Sequence, residues 1–142
     1  MYKILAALVL SSCMLLPQAQ GTEAVLLGSS SETSVYVYPD TLGIVGPGIV
    51  KAWSLYDFSM QQFVNNVHLY SVKSLNAIDC RNKRIGILND IYYARRGGGG
   101  EVVWNGAVEM SAIKWQYVAP KSLSELKFDF FCYLAREKFG GF

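Results

Sequence analysis

LYSVKSLNAIDCRNKRIGILNDIYYA, residues 69–94, decides the fold. Leu69 to Asp79 and Arg84 to Ala94 are rich in strand-forming residues, and only a short polar break, Arg81-Asn82-Lys83, parts them. A break that short joins antiparallel neighbours, because a parallel crossover needs a dozen residues or more. Side chains alternate across a strand, so Tyr70, Val72, Ile78 and Cys80 share one face. Cys80 therefore points where the apolar side chains point.

Outward from this hairpin the same period recurs. Ile49 to Phe58 alternates, with Val50, Ala52, Ser54, Tyr56 and Phe58 on one face and Ile49, Lys51, Trp53, Leu55 and Asp57 on the other. Polar, Asn-rich Gln61 to Val67 reads as a connecting loop. Upstream, residues 23–28 suit a short strand, Ser34 to Tyr38 forms another that stops at Pro39-Asp40, and Gly43 to Gly48 reads as a turn. Downstream, Arg95 to Gly100 reads as a flexible connection and Glu101 to Trp104 as a strand. Asn105-Gly106 gives a turn signal, and Lys114 to Val118 an edge strand.

At the C-terminus the period changes. Ser122-Leu123-Ser124-Glu125 is a capping-box pattern, in which the Ser122 hydroxyl accepts from the Glu125 amide while Glu125 reaches back. It opens a predicted four-turn helix ending near Lys138. Phe128, Phe131, Cys132, Ala135 and Phe139 form one apolar stripe; Leu123, Leu126, Phe130 and Leu134 form a second. Glu125, Asp129 and Arg136 share the polar side. The expectation is an α+β domain: an antiparallel meander of about six strands with one helix packed across the sheet.

A chain of 142 residues holds one domain, and 51% hydrophobic against 17% charged residues excludes a disordered one. Residues 1–21 read as a signal peptide, leaving 22–142 as the domain. Lys3 supplies the positive start, Ile4 to Leu16 carry no charge, Pro17 breaks the run, and Ala19-Gln20-Gly21 places small residues at a cleavage site. The apolar run is shorter than the roughly 20 residues a spanning helix needs. Leu10-Ser11-Ser12-Cys13 offers a lipobox as the alternative, with a lipid anchor at Cys13, although apolar Met14-Leu15-Leu16 replaces the usual polar tether. Removal of the leader leaves Cys80 and Cys132. In an oxidising compartment such a pair reads first as a disulfide, stabilising the fold by about 4 kcal/mol.

Catalytic chemistry finds no support. His68 is the single histidine and stands in a polar run without a partner. Gly97 to Gly100 lead into Glu101, where a phosphate loop needs Lys and Ser/Thr. Carboxylates are scattered singly, without calcium-loop or paired spacing. No enzyme activity, cofactor or metal is expected.

Charge is uneven along the chain. Residues 22–72 carry Lys51 against Glu23, Glu32, Asp40 and Asp57, a net of −3. Residues 73–96 carry Lys73, Arg81, Lys83, Arg84, Arg95 and Arg96 against Asp79 and Asp90, a net of +4. Tyr92 and Tyr93 sit beside the last two arginines, and Tyr and Arg dominate interface hot spots. These eight residues, Lys73, Arg81, Lys83, Arg84, Tyr92, Tyr93, Arg95 and Arg96, form the candidate surface for a protein partner. The plainer alternative is a solvated strand face, with one tyrosine packed inward and one on the surface.

The chain resembles the surface-adhesin protein E family. The likeness lies in Val-Tyr-Val-Tyr-Pro-Asp (35–40), Val-Lys-Ala-Trp-Ser-Leu-Tyr-Asp (50–57) and Tyr-Ser-Val-Lys-Ser-Leu-Asn-Ala-Ile-Asp-Cys (70–80). It continues through Tyr-Tyr (92–93) before Gly-Gly-Glu-Val-Val (99–103), then Trp115, Pro120 and the helix holding Cys132. The resemblance implies a C-terminal helix tied to the concave face of the sheet by a Cys80–Cys132 disulfide. It also implies a periplasmic or outer-surface location. It further implies binding of host extracellular-matrix and serum proteins through a basic central segment. The rival reading is an envelope-associated periplasmic domain that forms a homodimer through the second helix stripe. Neither reading involves nucleic acid or a membrane span.

Overall fold

The computed structural model describes residues 23–141; the proposed leader and Cys13 lie outside them. Eight strands form one sheet: β1 (Val25–Ser29), β2 (Thr33–Val37), β3 (Gly43–Gly46), β4 (Ile49–Val64), β5 (Val67–Asp79), β6 (Arg84–Tyr93), β7 (Val102–Ala107) and β8 (Gln116–Tyr117). Helix α1 (Leu123–Phe139) closes the chain. The main path runs β1-β2-β4-β5-β6-β7, with β3 added to β4 and β8 to β6, and every pairing is antiparallel. The expected six-strand meander is thus present, flanked by two short additions.

Three readings of the sequence need correction. Gln61 to Val67 is not a loop. β4 continues to Val64, and the hairpin closes on Asn65 and Asn66, both at positive φ (50° and 62°). Asn tolerates that left-handed backbone, which two-residue hairpin turns demand. Gly43 to Gly46 is a strand, not a turn, since backbone pairing with Lys51, Val50 and Ile49 needs no side chain; the turn is Pro47-Gly48, with Gly48 at φ 69°. Asn105-Gly106 lies inside β7, paired with Ile91 and Asp90.

The strand faces follow the predicted alternation. Val50, Ala52 and Ile78 are fully buried, and with Val37, Leu42, Phe128, Phe131, Cys132 and Ala135 they make the core. Phe128, Phe131, Cys132 and Ala135 follow i, i+3, i+4, i+7 spacing, so one helix stripe faces the sheet. The Ser122 hydroxyl accepts from Glu125 N at 3.1 Å. Glu125 reaches back to the amide of Lys121, one residue earlier than the standard box. Cys80 at the end of β5 bonds to Cys132 in the middle of α1, 52 residues on. The second stripe is partly engaged: Leu123 and Leu126 flank Gly28 of β1, and Phe130 and Leu134 lean on the core.

Candidate functional site

The eight predicted surface residues do not form one patch. Arg84 pairs with Asp79 and Tyr93 with Ser71 across β5 and β6. The two ends of this hairpin are therefore about 25 Å apart at strand rise. Tyr92 and Tyr93, being consecutive, point to opposite faces.

At the turn end, Arg84 donates to Asp79 at 2.6 Å and stacks on Trp115, 5.1 Å from the ring centre. Lys83, exposed, occupies the left-handed turn position at φ 51°, and the exposed Arg81 packs its stem over Gly48. Burial alone would raise the carboxyl of Asp79. Hydrogen bonds from Arg84 and Asn82, with the Arg84 charge, outweigh it and hold the carboxyl below its usual value. Arg84 is thus structural.

The other end lies on the face away from α1. Asp57, buried in the middle of β4, accepts from Arg96 Nη2 at 2.8 Å, Arg96 Nε at 3.1 Å and Gly97 N at 2.7 Å. Ser71 donates to Arg95 O at 2.6 Å and accepts from Gly98 N at 2.9 Å. These bonds lay the glycine run across β4 and β5 as a fixed turn, where the sequence reads as a flexible connection. Gly97, Gly98 and Gly100 all have positive φ, and a Cβ on Gly98 would press on the Lys73 side chain. Lys73 is held between two rings, its ammonium 5.7 Å from the centre of Tyr38 and 5.5 Å from that of Tyr93. Burial, then the neighbouring Tyr93, pushes the Tyr38 hydroxyl up. Arg95 is exposed beside the turn. Among the described residues, neither Lys73 nor Arg95 has a carboxylate within ion-pair distance.

Tyr92 belongs to the helix-bearing face. It is 8% exposed and stacks on Trp104 at 4.7 Å between ring centres. Burial, then the nearby Asp90 carboxylate, raises its hydroxyl. Sequence reasoning missed Asp57, Ser71 and Lys127. Lys127 carried a signal: at 100° per residue it falls between the two apolar stripes of α1, an odd place for a charge. Among the described residues no His, Cys, Asp and Glu cluster could hold a metal, and no helix is long and apolar enough to cross a membrane.

An open antiparallel sheet, clamped by a disulfide to one C-terminal helix and bearing a cation–aromatic surface, has the form of a binding scaffold. The chain belongs to the surface-adhesin protein E family, which it matches over residues 25–133. No curated protein matches it. Two crystal structures of Haemophilus influenzae protein E share its fold. One matches with a TM-score of 0.54 at 15% identity, covering 84% of this chain and 90% of that one. The second crystal form gives 0.54 at 13% identity, covering 75% and 91%. At such identities the likeness is one of fold. The family makes this a surface-adhesin-like protein.

Proposed function

We propose that this chain is an exported, non-enzymatic adhesin-type domain that binds a protein partner through the face opposite α1, centred on Lys73, Tyr93 and Arg95. The observation that carries the reading is the Lys73 ammonium set between Tyr38 and Tyr93 beside a glycine turn anchored on Asp57. The cation and rings are already positioned, so little side-chain entropy remains to be lost on binding, and unpaired cations suit an acidic partner surface. Arg84 and Arg96 serve the fold, while Arg81 and Lys83 lie at the far turn. The basic segment named from sequence thus narrows to its Lys73–Arg95 end.

The test is surface binding to immobilised extracellular-matrix and serum proteins over a salt series. Affinity should fall with salt and drop about tenfold or more in Lys73→Glu/Arg95→Glu, with Lys83→Glu near wild type. Equal binding by wild type and the double variant would remove the reading. Dimerisation through the second helix stripe has weaker support, because Leu123 and Leu126 already flank β1. A leader at 1–21 fits export to the periplasm or outer surface, and sequencing the mature N-terminus separates soluble release at Thr22 from lipidation at Cys13.

A further inference from the structure

Helix α1 covers only part of its face of the sheet. Beside its first turns runs a groove of about 900 Å³, bounded by β4 to β7 and the segment 108–118, within the size range of small-molecule sites. One wall is Trp104, stacked on Tyr92 and lying over Gly106, where a Cβ would collide with the indole. Ile85, Ile87 and Val118 add apolar lining at the β6–β8 end. Phe58, Val64 and Val72 continue the apolar lining.

The floor carries a buried charge. Lys127, 3% exposed, donates from Nζ to Tyr56 OH at 2.8 Å and to Asn76 Oδ1 at 2.7 Å. Both acceptors are neutral, and an ammonium has three N–H donors. No third acceptor and no carboxylate within ion-pair distance is found for it among the described residues. Asp90 also lines the groove and accepts from Ser74 at 2.5 Å, with no ion pair to Lys127 among the described residues; burial raises its carboxyl, and the Ser74 bond and the Lys127 charge offset that only in part. A buried cation without a direct counter-ion is costly, and an anionic group entering the groove would relieve that cost.

We propose that this groove binds a small amphipathic carboxylate of the free fatty-acid type, its head on Lys127 Nζ and its apolar body against Trp104 and Phe58. The head must be a free carboxylate, which an esterified lipid lacks. Asp90 shares the floor and repels the same head, so it limits affinity. The site lies on the face opposite Lys73 and Arg95, and its test is independent of partner binding.

Disulfide-intact protein would be titrated with dodecanoate, methyl dodecanoate and dodecylamine, read by tryptophan fluorescence and calorimetry. Dodecanoate should bind about tenfold or more tighter than the ester, the low end of a charge-assisted hydrogen bond. Lys127→Met, which keeps an apolar stem, should bring acid and ester to parity, while Asp90→Asn should tighten dodecanoate. Absence of dodecanoate binding, equal binding of acid and ester by wild type, preference for the amine, or discrimination that survives Lys127→Met would each overturn the proposal. If Lys127→Met fails to fold by near-UV dichroism, Asp90→Asn decides alone: unchanged or weaker dodecanoate binding refutes the site.

Discussion

Replacing both Cys80 and Cys132 by alanine removes the single covalent tie between sheet and helix among the described residues. The bond closes a sequence separation of 52 residues. The chain-entropy relation then gives a loss of about 4 kcal/mol at 25 °C. For a domain of this size that corresponds to a fall of about 15 °C in Tm, because each kcal/mol moves a domain between 100 and 150 residues by about 4 °C. Cys132 is 2% exposed, within the same stripe as Phe131 and Ala135, so alanine leaves no stranded polar atom. Thermal unfolding by circular dichroism would compare wild type, reduced wild type and the double variant at equal pH. Both altered forms should unfold near the same lower temperature. A shift of under about 4 °C, the equivalent of 1 kcal/mol, would refute the reasoning that the crosslink restricts the unfolded chain.

Other perturbations have equally definite outcomes. Phe131→Ala, at a fully buried position under the sheet, should cost about 3–5 kcal/mol in urea unfolding. Asp57→Ala leaves the Gly97 amide without its acceptor; a loss of about 1–3 kcal/mol and fast hydrogen exchange at Gly97 and Gly98 should follow. The lowered carboxyl value of Asp79 means that its contacts stabilise the fold above the unfolded value near 4 and lose that contribution as pH falls through the folded value. Urea midpoints for wild type and Asp79→Asn should therefore differ at pH 7 and converge in acid; a constant gap would contradict the assignment.

How much was legible in the sequence depended on the range of the interaction. The β5–β6 hairpin, the alternation in β4 and the Ser122 cap are local patterns, and the structure keeps them. Cys80 declared its direction through its neighbours Ile78 and Val72. The distal half of β4 escaped notice because Gln61 and Gln62 mask the period, and Asn65-Asn66 resembles loop composition until its left-handed backbone is seen. The glycine run looked flexible because its anchor, Asp57, lies 39 residues before Arg96. Likewise the groove depends on Lys127 meeting Tyr56, 71 residues away, and only the folded sheet brings them together. The basic residues shared one stretch of sequence, yet a hairpin sends its two ends apart.

The most direct test of partner binding at the Lys73 end is a hydrogen-exchange footprint of the protein bound to a matrix or serum protein that retains it. Protection should concentrate on Tyr93 to Gly100 and the Lys73 segment of β5, with the 81–84 turn and the 102–118 region unchanged. Protection confined to the turn or to the helix-bearing face would contradict the account.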